Sequence, residues 1–323
     1  MSVTESVQVP ERAARMSGPD LAQTPACPRL AGGAARSRLA EDRWHFQHGP
    51  IDLIIDVDAD AQTRDRAIAD CWDEFQQVLS TLVGELPDLR RPSSDRPTLR
   101  GPVAQRMLRA CAPFSDERFI TPMAAVAGSV ADHLITAFKR PGVRRASINN
   151  GGDIALWLSR GSRYRVGVCS DLKRARRYMA NGVPLSGVFT LDYDSPVRGV
   201  ATSGWRGRSF SRGIADSVTV LAVDAAAADA AATLIANAVN CDHPGITRAP
   251  AAHLKDDSDL GNLLITVGVA RLPESAVAIA LARGRAEAER WRDRGLVYAA
   301  AMFLQEGVEL VLPRACVFEP AGA

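Results

Sequence analysis

Val218-Thr219-Val220-Leu221-Ala222-Val223 runs through Asp224 into Ala225-Ala226-Ala227-Ala228-Asp229-Ala230-Ala231-Ala232-Thr233-Leu234-Ile235-Ala236-Asn237-Ala238-Val239. The first six residues suit a buried strand, and the alanine-rich run that follows suits a helix. A matching layout lies upstream, where Ile51-Asp52-Leu53-Ile54-Ile55-Asp56-Val57 meets Asp58 and a segment from Asp60 to Val83. Within that segment Ile68, Trp72, Phe75, Val78, Leu79 and Leu82 fall on one helical face. Two strand-to-helix units of one design predict an internally duplicated fold.

Around these units the signals alternate between sheet and helix. Trp44-His45-Phe46 pairs with Ile51-Asp52-Leu53-Ile54-Ile55 across the turn Gly49-Pro50. Short alternating runs at Ala146 to Ile148, Ile154 to Leu158, Tyr164 to Val168 and Gly187 to Leu191, parted by Gly or Asp turns, predict antiparallel sheet. Leu263 to Val269 predicts a further strand. Helices are expected at Val103 to Ala110, Met123 to Phe138, Glu274 to Leu281 and Ala286 to Arg294. The class is therefore α+β, with helices covering largely antiparallel sheets. Residues 1–43 contain no aromatic side chain and are dominated by Pro, Ala, Gly, Ser and Arg, so they read as a mobile arm before a folded body at 44–323.

Composition excludes several classes. A net charge of +2 on 323 residues is no basis for a polybasic nucleic-acid binder. With 46% apolar residues the chain can bury a substantial core, and with no charge-free run of spanning length it is expected to carry no membrane helix. The six cysteines include no Cys-x-x-Cys pair, which argues against zinc ribbons and iron-sulfur motifs. Scattered thiols and the absence of a secretory h-region fit the cytoplasm.

Three stretches offer chemistry. Asp229, Thr233 and Asn237 recur at steps of four and share one short-armed helical face; from Ser217 to Thr247 there is no Lys, Arg or Glu. A carboxylate and a hydroxyl one turn apart suit a hard cation such as Mg²⁺, or else merely meet solvent. Asn149-Asn150-Gly151-Gly152-Asp153 is a turn whose glycines let main-chain N–H groups approach a phosphate or flat ring, although the same residues also make plain hairpins. Thr202-Ser203-Gly204 opens a loop carrying Arg206, Arg208 and Arg212, three guanidiniums that suit a diphosphate or carboxylate. Asp216 either caps a turn or supplies a second carboxylate beside Asp229. His45, His48 and His133 fit structural roles, with His45 and His48 able to line a pocket mouth.

In this order the segments resemble the ApbE-like superfamily, whose best-known members are Mg²⁺-dependent FAD:protein FMN transferases. Met123-Ala124-Ala125-Val126-Ala127-Gly128-Ser129-Val130-Ala131-Asp132 looks like the family's Lys-Gly helix, and Asn150-Gly151-Gly152-Asp153-Ile154 like its Gly-Gly-Asp turn. Ala201-Thr202-Ser203-Gly204 matches its Thr-Ser-Gly loop and Ala228 to Thr233 its metal-binding helix. The segments Arg43 to Leu53 and Gly213 to Ala222 look more closely like an uncharacterised bacterial and archaeal subfamily, and the likeness spans most of Trp44 to Leu312.

The resemblance implies a T-fold-like arrangement with internal duplication. It implies FAD or FMN held by Asn149, Asn150, Gly151, Gly152, Asp153, Thr202, Ser203, Gly204, Arg206, Arg208 and Arg212. It also implies Mg²⁺ on Asp229, Thr233 and the main-chain carbonyl of Ala124, and an acceptor protein or small anionic substrate. Two departures stand out: Ala127 replaces the family's lysine, and Ser211 to Asp216 replaces a His-Ile-Ile-Asp-Pro-type segment. Asp216 is then the remaining candidate base for FMN transfer. A flavin-dependent reductase of a nitrogen-heterocyclic acid and a non-catalytic flavin binder are the alternative expectations.

Overall fold

The computed structural model describes residues 33–39, 42–170, 186–313 and 318–320. Most of the segment expected to be an arm lies outside them. Within that segment, however, β1 (Ala35–Arg38) is a strand paired antiparallel with β2 (Trp44–His48). Ala35-Arg36-Ser37-Arg38 has no apolar alternation to read, so its strand rests on main-chain bonds and on Arg36, whose guanidinium lies over the Trp72 ring at 4.9 Å.

β2 turns at Gly49 into β3 (Ile51–Ala59), where buried Ile51, Leu53, Ile55 and Val57 alternate with half-buried residues. Asp60 then caps α1 (Ala61–Gly84) by accepting from the Thr63 N–H at 2.9 Å. The buried face of α1, including Ile68, Phe75, Val78 and Leu82, packs on β3. A short α2 (Leu86–Leu89), α3 (Pro102–Ser115) and α4 (Val126–Leu134) follow. Where the sequence predicts one helix from Met123 to Phe138, α4 is flanked by 3-10 turns at Pro122–Ala125 and Ile135–Phe138, and Ala125 leaves helical geometry at φ −124° and ψ 18°.

The chain next forms β4 (Val143–Asn150), β5 (Asp153–Leu158), β6 (Arg163–Val168), β7 (Gly187–Asp192), β8 (Gly199–Ser203) and β9 (Ser217–Ala222). The expected strand–aspartate–helix unit is present: β9 leads to Asp224, whose carboxylate accepts from Ala227 N–H at 2.8 Å and caps α5 (Ala225–Ala238). β10 (Ile246–Pro250) and β11 (Leu264–Val269) form a separate hairpin. α6 (Glu274–Asp293) is one helix where the sequence predicts two, because Gly284 continues the helix and lets Val239 and Met302 pack against it. β12 (Ala299–Leu304), β13 (Gly307–Val311) and β14 (Phe318–Pro320) close the chain.

Nine strands form one sheet in the order β1-β2-β3-β4-β5-β8-β9-β12-β13, with every pair antiparallel. The helices bury one face. A second sheet, β14-β7-β6, covers part of the other, where Leu156, Val200, Leu221 and Ala301 meet Val166 and Phe189. One half of the large sheet is β2-β3 and β4-β5 with helices between them and β1 added at the edge, and the other is β8-β9 and β12-β13 with helices between them. The halves meet at β5 and β8 through only two ladder pairs, Ile154 with Val200 and Ala155 with Gly199. Among the described residues no helix is long and apolar enough to cross a membrane.

Candidate functional site

The ladder between the two halves ends where the candidate residues gather. Beyond Ile154, Thr202 N–H finds no main-chain carbonyl on β5 and instead donates to Asp153 Oδ1 at 3.1 Å. Asn150, the last residue of β4, donates from Nδ2 to the Ala127 carbonyl at the start of α4 at 3.1 Å. The Gly128 N–H of the same turn donates to Asp229 Oδ2 on α5 at 3.0 Å. One strand turn and two helices are therefore laced together by polar side chains in addition to the apolar contact of Val130 and Ala131 with Ala225.

Gly128 makes that lacing possible. A Cβ there would lie 2.2 Å from the Ala225 carbonyl oxygen, so only glycine lets α4 approach the first turn of α5 this closely. Asp132, one turn further along α4, reaches the same place. Its carboxylate accepts from Ala225 N–H at 3.1 Å and from Ala226 N–H at 2.8 Å. The sequence reading quoted Asp132 without giving it a role, and the four-residue step from Gly128 to Asp132 was the available signal.

The electrostatics are those of a site short of positive charge. Burial pushes Asp153 up to about 7, against the pull of the Thr202 N–H and the Arg208 guanidinium. Asp229 is driven well above the usual carboxylate range by burial first and by the charge of Asp153 second, with main-chain donors Gly128 and Ala127 opposing. Two carboxyls whose charges act on each other, with a guanidinium near Asp153 alone, are relieved either by a proton or by a cation. Asp229 nevertheless keeps partial access to solvent.

Gly151 at φ +70° and Gly152 at φ +125° adopt the left-handed conformations expected of the turn, and Asn149 Oδ1 accepts from Gly152 N–H at 2.8 Å. Arg208 stands over this turn, with Nη1 3.0 Å from where a Gly151 Cβ would be. Its Nη2 also faces Asp52 Oδ2 at 3.6 Å, while Asp52 Oδ1 pairs with His45 Nε2 at 2.8 Å. Asp52 joins the rim unanticipated; in the sequence it is one of several strand-alternating aspartates.

Arg208 lies against the Gly151 turn, whereas the contacts of Arg206 and of the Arg212 main chain run elsewhere. Arg206 Nε is ion-paired with Asp216 Oδ1 at 2.8 Å, and the Arg212 main chain is tied to Asn237 Oδ1 at 2.8 Å. Asp216 also accepts from Trp205 Nε1 at 3.2 Å and from Gln305 N–H at 2.6 Å. With both oxygens engaged, Asp216 fastens the arginine loop. Gly204, at φ +158°, sits where a Cβ would lie 2.5 Å from the Asp216 carbonyl oxygen. Ser203 ends β8 half-buried opposite Val218, and the Thr202 hydroxyl pairs with that of Thr219 at 2.9 Å.

The polar stripe on α5 divides its work. Asp229 faces α4, half-buried Thr233 follows one turn on, and Asn237 holds the end of the arginine loop. Ala124 lies in the 3-10 turn before α4, packed against the cluster that contains α5.

A family model described as AbpE bacteria matches residues 36–310. Among curated relatives, a UPF0280 protein of Methanosphaerula palustris is 39% identical over 211 residues, 64% of this chain and 80% of the relative. One from Methanopyrus kandleri is 37% identical over 48% of this chain and 56% of the relative, so the match spans little more than half of that protein. Among solved structures, apo Pseudomonas stutzeri flavinyl transferase ApbE aligns at 16% identity and TM-score 0.37, over 87% of this chain and 94% of that one. The ApbE protein of Thermotoga maritima aligns at 17% identity and TM-score 0.33, over 80% and 77%. Matched along most of its length by the family model, the chain belongs to the AbpE bacteria family.

Proposed function

We propose that the chain binds a flavin dinucleotide at the seam between the two sheet halves and processes it in a divalent-cation-dependent, FMN-transferase-like reaction. The single observation that carries the reading is the gathering, where the ladder between the halves ends, of Asp153 bonded to Thr202 and Asp229 bonded to Gly128, with Arg208 against the Gly151 turn. Two desolvated carboxylates call for a cation, while permissive main chain and a guanidinium call for phosphate. The sequence resemblance supplies the flavin.

The donors fit a hard cation. Among the described residues no three His, Cys, Asp or Glu side chains converge as a metal centre. The donors that would hold the ion are the Asp229 carboxylate, the Thr233 hydroxyl and the Ala124 carbonyl, all oxygen, a set that would suit Mg²⁺ retaining water and substrate phosphates. When bound, Mg²⁺ supplies Lewis-acid polarisation of the diphosphate. Arg208, against the Gly151 turn, would balance the negative charge of the diphosphate. Asn150 and Gly128 fix the α4 main chain against Asp229, and Asp216 keeps the arginine loop closed over Trp205 and Arg206.

The test is incubation of the full chain with FAD, Mg²⁺ and a threonine-bearing acceptor peptide. AMP release with covalent flavin on the peptide is expected, both lost in Asp229→Ala. FAD binding with neither product would overturn transfer and favour the flavin-dependent reductase of a nitrogen-heterocyclic acid, with Arg208 holding the substrate's anionic group.

A further inference from the structure

Away from the seam, α3 and the first turn of α5 border an open cavity of about 240 Å³. Arg106 and Arg109 line it from α3, Asp224 lines it from the start of α5, and Pro113, Phe114 and Leu296 supply apolar wall. Asp229, Asn150, Asp153 and Arg208 do not line it.

Two features mark the cavity as more than a surface dimple. Among the described residues neither guanidinium is engaged in a hydrogen bond or ion pair, and Arg106 Nε is buried with no acceptor. A buried charged donor without a partner is a vacancy that a native fold rarely tolerates. The first amides of α5 are not the attractor, since Ala225 and Ala226 N–H donate to Asp132 and Ala227 N–H to Asp224. What remains is a pair of arginines one turn apart beside an apolar wall, Arg106 half-buried with its charge acting on Asp132 and Arg109 exposed at the rim, neither with a hydrogen-bonded acceptor among the described residues.

We propose that this cavity is a second ligand site, taking a small oxyanion, phosphate or carboxylate, on a compact apolar body. Guanidinium forks match both oxyanions in bidentate geometry, and Phe114 with Leu296 would cover the body. Asp224 on the same lining disfavours ligands of high negative charge, which points to a singly or doubly charged group rather than a polyphosphate.

The site stands independently of the flavin reading, and calorimetry on the full chain at low salt tests it with inorganic phosphate and with benzoate. Saturable one-to-one binding of at least one probe is expected, and which of them binds identifies the oxyanion. The double variant Arg106→Gln, Arg109→Gln should weaken it at least tenfold. Ala110→Phe, which fills the cavity and keeps both arginines, should do the same, while Arg160→Gln on an exposed turn should not. Asp229→Ala should leave this binding intact, and the arginine pair should leave FAD affinity unchanged. No saturable binding of either probe, binding that survives both the double variant and Ala110→Phe, or loss in Asp229→Ala would overturn the proposal.

Discussion

At the scale of single residues the molecule turns on Asp132 and Gly128. Burial, with the charge of Asp224 added, pushes Asp132 up to about 7 even though two amides of α5 and Arg106 favour its charge. A carboxyl raised in the folded state binds more protons there than in the unfolded chain, so its contribution favours folding at low pH. That contribution is lost as pH rises from about 4 through 7. Asp132→Asn should therefore flatten the decline of stability over that window, by no more than about 4 kcal/mol, as read from urea midpoints at several pH values. An unchanged slope would remove Asp132 from the account. Gly128→Ala places a methyl against the Ala225 carbonyl and should destabilise by roughly 2–3 kcal/mol, measurable in the same titration.

At the scale of elements, legibility followed local signal. The units Ile51 to Val83 and Val218 to Val239 were readable because apolar period, capping aspartate and length all agree, and their helices begin within a residue or two of the expectation. Asp224→Ala removes the α5 cap and should cost about 1 kcal/mol in thermal or chemical unfolding. β12 was not readable: Ala299-Ala300-Ala301 has helical preference, and only burial from both faces makes it a strand. β8 hid for another reason, since Gly199 is forced by the close pass of Asp224 and Ala225 main chain, a tertiary contact no local pattern encodes. The same holds at the site. Asn150, Asp153, Thr202 and Asp229 could be named from their motifs, whereas Ala127, Asp132 and Asp52 become partners only when distant strands and helices meet.

At the scale of the whole molecule, long-range ion pairs tie the layers that the sheet alone does not. Arg118, just after α3, forms two bonds of 2.8 Å to buried Glu287 on α6. Arg118→Ala would strand that carboxylate and should cost about 2 kcal/mol, less than for a fully buried pair because Arg118 is 41% exposed. Glu287→Gln alongside it should recover part of the loss, and equal destabilisation of the single and double variants would deny the pairing. A sheet of nine strands whose middle is joined by two ladder pairs and the bond from Leu156 N–H to the Arg198 carbonyl has its thinnest main-chain seam there, a narrow strap between two stiffer blades with α4 and α5 packed across it. Thermal twisting then concentrates at the strap. Amides near Asp153 and Thr202 should exchange with deuterium sooner than those inside β3–β4 or β9–β12, and an occupied seam should slow them while leaving the blades as they were.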